Sequence, residues 1–147
     1  MNDEHSPGMP DETYSFPVVI LGGGFAGTYC ARALSVGLRD AAPETVALLA
    51  DQNAMLFHPM LAEVSGSSIS PLHVVNPLRR FCRGSSIFMG SVEEVDLDGQ
   101  TVRFFPGPFV HAASLKFEHL VLAIGNVVDV SRVPGMPEHG YLIAGRE

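Results

Sequence analysis

The sequence contains no tryptophan and only two cysteines, and no stretch of it approaches the ~20 consecutive apolar residues that cross a bilayer as a helix. Cys30 and Cys82 lie far apart and fit no CxxC or Cys/His ligand spacing, so neither a disulfide framework nor a zinc site is indicated. A reducing, cytoplasmic setting follows as the simplest expectation. Basic residues are scarce as well: nine Lys and Arg against sixteen Asp and Glu give a net charge of −7. Asp3, Glu4, Asp11 and Glu12 carry four of those acids, which leaves −3 on the remainder and no basic footprint for a nucleic acid. The opening MNDEHSPGMPDETYS lacks the basic start and apolar core of a secretory signal, and residues 1–16 read as a flexible acidic tail. With 147 residues, 46% of them hydrophobic and 17% charged, the chain has room for one well-buried core and excludes two full domains.

Pro17–Leu21, PVVIL, is a short apolar run with β-branched content that ends at glycines, the pattern of a buried parallel strand. From Phe25 to about Leu38 the order of residues predicts a helix with Ala26, Cys30, Ala33, Leu34 and Leu38 near one face. A turn at Asp40–Glu44 and a second apolar run, Val46–Ala50, complete a strand, helix, strand unit that crosses over right-handed. Leu56–Ser68 reads as one or two helical turns followed by loop. Asn76 is placed to cap a helix with Pro77 at its first position and Gly84 closing it, and Ile87–Met89 offers a third short strand. Around Asp98-Gly99 apolar and polar residues alternate, which predicts a hairpin with a two-residue turn. Ser114–Phe117 would add a third antiparallel strand, and Leu120–Ile124 returns to the buried parallel pattern. The expected fold class is therefore α/β, a Rossmann-like parallel sheet with an antiparallel three-stranded meander inserted. The final stretch, rich in proline and glycine, predicts no convincing helix or long strand.

The chemistry centres on GGGFAG, in which Gly22, Gly24 and Gly27 stand at GxGxxG spacing directly after a buried strand and at the start of a helix. That placement is what binding a dinucleotide requires. Gly22 permits the tight turn, Gly24 lets the backbone approach a pyrophosphate, and Gly27 with Ala31 allows close packing of helix on sheet. The amides of Gly24, Phe25 and Ala26 would point at the phosphates from the helix N-terminus, where the dipole favours negative charge. An acid is expected at the end of the second strand to take the ribose hydroxyls. Asp51 is favoured for it, with Ala50 as the alternative occupant of the ribose-facing position. The βαβ unit alone leaves NAD and FAD both open, while the antiparallel insertion before LVLAIG points to the flavin-binding type.

VVILGGGFAG at Val18–Gly27, LFHPMLAEVSG at Leu56–Gly66, NPLRR at Asn76–Arg80 and FEHLVLAIGN at Phe117–Asn126 together resemble the N-terminal FAD-binding domain of type II NADH dehydrogenases, members of the pyridine nucleotide-disulfide oxidoreductase superfamily. VPGMPEHGY at Val133–Tyr141 resembles the linker that follows, and sulfide:quinone oxidoreductases and apoptosis-inducing-factor-like flavoproteins are related. The resemblance implies residues 17–130 as the FAD domain and 131–147 as a truncated linker towards an absent NADH-binding domain. It implies the FAD pyrophosphate at Gly22, Gly24 and Gly27, the ribose at Asp51, the adenine at the backbone of Val92, and a lining from Ala123 and Gly125. His58 and Pro59 correspond to a segment near the isoalloxazine where threonine commonly precedes proline, so His58 departs from the pattern. Arg79 is left outside the site. Cys30 is expected in the core, and without a CxxxxC pair disulfide-reductase chemistry is disfavoured.

In such enzymes FAD takes hydride from NADH and passes electrons to a quinone. The chain ends at Glu147, before a second glycine-rich domain, so it is expected to be an incomplete enzyme that acts with a separately encoded remainder or associates with itself. Peripheral attachment at the inner face of the membrane would then come through a missing C-terminal region. The alternative is a non-catalytic, stand-alone or decayed dinucleotide-binding module.

Overall fold

The computed structural model describes residues 12–38, 45–107, 111–126 and 129–141. Strand β1 (Glu12–Leu21) leads through helix α1 (Phe25–Gly37) to β2 (Val46–Ala50). A small antiparallel pair follows, β3 (Ala54–Leu56) with β4 (Val75–Pro77), and between them lie 3-10 turns at His58–Met60 and Pro71–His73 and the short helix α2 (Leu61–Ser65). Helix α3 (Leu78–Phe81) then leads into β5 (Ser86–Met89), β6 (Ser91–Asp96), β7 (Thr101–Phe105) and β8 (Ala113–Leu122). A 3-10 turn at Val130–Arg132 and a helical turn α4 (Met136–His139) end the described part. The main sheet runs β5-β2-β1-β8-β7-β6, parallel among the first four strands and antiparallel from β8 to β7 to β6.

Both faces of the two central strands, β1 from Val19 and β2, are buried, and alternation divides their side chains. Ile20, Val46, Leu48 and Ala50 point to one side and pack with Ala31 of α1, Leu78 of α3, Met55 and Cys82. Val19, Leu21, Ala47 and Leu49 point to the other, where they meet Phe16, Val102, Phe104, Leu115 and Phe117. The second cluster exists because the sheet turns back on itself. Its two edge strands, β5 and β6, are consecutive in sequence and joined by Gly90 alone. One residue spans at most about 7 Å between its neighbours' Cα atoms, so the edges come together and the meander folds over the parallel strands. Phe88 sits at the closure, edge-on to Phe16 at 5.5 Å and to Phe104 at 5.9 Å.

Several expectations are corrected. β1 begins at Glu12 rather than Pro17, because Glu12–Phe16 pair with Ala113–Phe117, so residues 12–16 belong to the sheet; residues 1–11 of the expected tail lie outside the described residues. The antiparallel strand at Ser114–Phe117 and the closing strand at Leu120–Ile124 are one continuous strand, β8, which ends at Leu122. The hairpin connection is longer than two residues: Leu97–Gln100 separate the strands, Gly99 N donates to the Asp96 carboxylate at 2.8 Å, and Gln100 adopts φ +51°. Asn76 caps no helix; it is extended within β4 opposite Met55, and the Leu78 amide donates to Asn53 O instead. Cys82, not Gly84, ends α3. On α1 the buried residues are Gly27, Thr28 and Ala31, whereas Ala26, Ala33 and Leu38 are exposed. A threonine can face the core there because its hydroxyl is satisfied by Gly24 O at 2.7 Å. The final stretch does form a helical turn, α4, entered at Gly135 with φ +80°. The expected turn at 40–44 lies outside the described residues.

A Cβ at Gly90 would lie 2.4 Å from Phe105 O, whereas one at Gly37 meets nothing within 4 Å. In urea unfolding, Gly90→Ala is expected to destabilise by about 1–3 kcal/mol through overpacking. Gly37→Ala, in the last turn of α1, should instead stabilise by about 0.5–1 kcal/mol. Cys82 is buried, which pushes its thiol above the ordinary range while nearby Arg32 pulls weakly the other way. Iodoacetamide at pH 8 should therefore label Cys82 at the rate of global unfolding, as mass mapping with and without urea would show.

Candidate dinucleotide site

β1 delivers the chain into a turn that no side chain could enter. Gly22 has φ +113°, and a Cβ on it would lie 2.2 Å from the carbonyl oxygen of Ala123, the residue after β8. A Cβ on Gly27 would lie 1.9 Å from Gly22 O, so α1 rests directly on the turn. Hydrogen bonds hold it from both sides: Gly22 N donates to Leu49 O at 2.9 Å and Ala123 N to Leu21 O at 2.8 Å. Gly23 is constrained too, since a Cβ there would lie 2.7 Å from that of Ala50. The motif spacing missed Gly23, although three glycines in succession signalled it.

Gly24 differs from these. It is the N-cap of α1 with an ordinary φ of −79°, and a Cβ on it would meet no protein atom within 4 Å. Packing does not require glycine there. What its missing side chain leaves is an open approach to the first turn of a thirteen-residue helix with no acid in that turn. Phe25 and Ala26 are exposed beside it, and the amides of Gly24, Phe25 and Ala26 donate to no carbonyl among the described residues. Thr28 holds the cap in place through its amide and hydroxyl, at 3.0 and 2.7 Å from Gly24 O. Three outward amides at the positive end of a helix, approachable without a Cβ in the way, suit a phosphate.

The other sequence-predicted residues gather on the same edge of the sheet. Asp51 is exposed directly after β2, whereas Ala50 is buried against Gly23, so the carboxylate is the one that stands at the surface. Gly90 N donates to Ala50 O at 2.9 Å, which ties the start of β6, and with it Val92, to the end of β2. Ala123 and Gly125 follow β8, Gly125 with φ +70°. His58 and Pro59 lie in the 3-10 turn, which is brought to the first turn of α1 by the Phe57 and Phe25 rings at 5.7 Å, while Met55 Sδ lies 3.2 Å from Thr28 Oγ1. The edge is formed by the carboxyl ends of β1, β2, β5 and β8. The chain leaves β1 for β2 on one side and returns as β8 on the other, the switch point at which open α/β sheets bind ligands.

Among the described residues no group of three or more His, Cys, Asp and Glu is placed to hold a metal, and no helix is long and apolar enough to cross a membrane.

Residues 16–145 match the family described as pyridine nucleotide-disulphide oxidoreductase. The chain is 27% identical over 126 residues to the demethylphylloquinone reductase NdbB of Synechocystis, covering 84% of this chain and 31% of that protein. It is 27% identical over 135 residues to the mitochondrial external alternative NAD(P)H-ubiquinone oxidoreductase B1 of Solanum tuberosum, covering 86% of this chain and 22% of that one. It thus spans about a third or less of the length of these relatives. Among solved structures, NDH2 from Plasmodium falciparum superposes with a TM-score of 0.71 at 16% identity, over 92% of this chain and 26% of that one, a likeness of fold. A match extending over residues 16–145 takes in β1, the glycine turn and β8 together, and the chain belongs to the pyridine nucleotide-disulphide oxidoreductase family.

Proposed function

We propose that this chain is the FAD-binding portion of a flavin-dependent NAD(P)H:quinone oxidoreductase. The observation that carries the reading is Gly24, a motif glycine that the protein's own packing does not demand, set at an amide-lined helix N-terminus on the ligand-binding edge of the sheet. Gly24, Phe25 and Ala26 would hold the pyrophosphate, with Gly22 and Gly27 making that approach possible. Asp51 would accept the ribose hydroxyls, the backbone of Val92 would meet the adenine, and Ala123 and Gly125 would line the cofactor from the end of β8. His58 and Pro59 would border the isoalloxazine. When bound, FAD supplies hydride acceptance and onward electron transfer, here from NADH to a quinone. The chain's own residues contribute binding, orientation and partial shielding from water.

Two relatives support the donor and acceptor classes by their names, a demethylphylloquinone reductase and an NAD(P)H-ubiquinone oxidoreductase. At the same edge, Leu122 is 63% and Ile124 73% exposed. Such apolar surface suits a separately encoded remainder of the enzyme, or a second copy, that would cover the flavin end. A second strand, glycine turn and helix unit for NADH is not among the described elements.

Purified protein should be yellow or become so with FAD. Saturating FAD that yields neither bound-flavin absorbance nor a thermal shift would refute the cofactor assignment, and competition with NAD would expose a nicotinamide site instead. Gly24→Ala should weaken FAD binding by tenfold or more, roughly 1.4 kcal/mol, because its methyl group occupies the approach to the phosphates. Its Tm should change little, since that methyl touches no protein atom. Asp51→Asn should weaken FAD more than it weakens FMN, which lacks the adenosine ribose. NADH oxidation by this polypeptide with FAD and a soluble quinone is expected to stay at the free-flavin background, and robust turnover would overturn the need for a further NADH-binding part.

A further inference from the structure

We propose that the cleft between the end of α3 and the start of β5 binds a phosphate-bearing anion, at a site distinct from the dinucleotide edge. The chain is acidic overall, yet Arg79, Arg80 and Arg83 place three of its nine basic residues within five positions. All three are exposed, and none makes an ion pair with a described carboxylate. Arg79 and Arg83 line a cleft of about 380 Å³ together with Gly84, Ser85 and Ser86.

The chemistry of the lining is one-sided. Arg79, Arg83, Ser85 and Ser86 line the cleft beside Cys82 and Ile87, and no acid lines it. The amides of Arg83 and Gly84 find no carbonyl partner among the described residues, and Gly84 takes φ +90°, which a side chain would resist. Ser35 Oγ donates to Ala31 O, so Ser85 Oγ donates its own proton to Ser35 Oγ at 2.8 Å; this anchors the wall of the cleft to α1 and leaves Ser86 as the other hydroxyl of the lining. Guanidiniums with hydroxyl and amide donors around a cleft free of carboxylates recognise phosphoryl oxygens. The site opens at the amino end of β5, and the length of that strand separates it from Gly90 on the dinucleotide edge. A soluble phosphate ester and the phosphodiester of a lipid headgroup offer the same oxygens.

The test is a titration of the full chain with inorganic phosphate, read by backbone amide NMR against sodium chloride of matched ionic strength. Saturable shifts centred on Gly84–Ser86 are expected. They should weaken at least tenfold in the double variant Arg79→Gln/Arg83→Gln and persist in Gly24→Ala, which separates this site from the dinucleotide edge. Shifts no larger than those caused by chloride, or shifts undiminished in the double variant, would overturn the proposal. Should the double variant fail to fold, the same map in the unsubstituted chain decides: shifts confined to residues 22–27 refute the site, and shifts at Gly84–Ser86 support it. Co-sedimentation with phosphatidylglycerol vesicles, using phosphatidylcholine vesicles as the control, identifies the source. Arginine-dependent pelleting assigns a lipid headgroup, and phosphate binding without pelleting assigns a soluble ester.

Discussion

The ends of β1 and β8 and the start of α1 meet so closely that no side chain fits between them, and the remaining architecture follows from that contact. Gly22 takes a backbone conformation that side chains resist, while its carbonyl touches α1 at Gly27 and its α-carbon faces the carbonyl of Ala123. Once the chain can turn there, β1 pairs with β2 on one side and β8 on the other, and α1 lies flat against the sheet over Ala31. The same contact sets the first turn of α1 on the edge where Asp51, Val92 and Gly125 emerge. Fold and site therefore share one cause, and a substitution at Gly22 or Gly27 would disturb both. Gly24 separates the two, since a Cβ there would meet no protein atom within 4 Å and the protein's packing does not require a glycine.

Closure of the sheet is the second organising feature. A parallel sheet with helices on one face alone would leave Val19, Leu21, Ala47 and Leu49 in water. Here the meander covers them, and Gly90 makes that possible by joining the two edge strands in a single residue. Tilted and edge-on contacts of Phe88 with Tyr14, Phe16 and Phe104 fill the resulting interior. Such pairs contribute about 0.5–1.5 kcal/mol each beyond the area they bury. Because β5 belongs to the parallel sheet and β6 to the meander, the link at Gly90 also positions Val92 beside the end of β2. A feature that stabilises the core thus also shapes the edge at which Asp51 and Val92 emerge.

Much of this was legible in the sequence, because buried parallel strands and a glycine turn leave strong local signals. VVIL, VALLA and GGGFAG place β1, β2 and α1, and their order brings Asp51 and the first turn of α1 to one edge. The misreadings came where tertiary pairing overrides a local cue. Pro17 looked like a strand boundary, but β1 pairs with β8 on both sides of it, Phe16 with Phe117 and Val18 with His119, and Pro17 alone is left out of that register. Glu118 and His119 looked like a break between two strands, yet both are exposed residues of one strand that runs from the meander into the parallel layer. The buried face of α1 is Gly27, Thr28 and Ala31 rather than the expected apolar stripe, and the carbonyl of Gly24 satisfies the Thr28 hydroxyl there. The closing role of Gly90 was not legible, since it depends on knowing which strands form the two edges.

Charge is distributed along the strands in a way that composition alone conceals. Asp51 stands at the carboxyl end of β2, while the arginines of α3 and the loop after it flank the amino end of β5, the strand next to β2. Guanidiniums spread evenly over an acidic surface would find carboxylates to pair with, as Arg103 does with Glu93 at 3.1 Å on β7 and β6. Arg79 and Arg83 pair with no described acid, and the polypeptide around them, Val64 to Val92, contains none. Two unpaired guanidiniums facing one cleft repel each other, a cost that an anion between them would remove. The same electrostatic logic acts at the other edge through backbone dipoles, where the free amides of α1 create positive potential without any basic side chain.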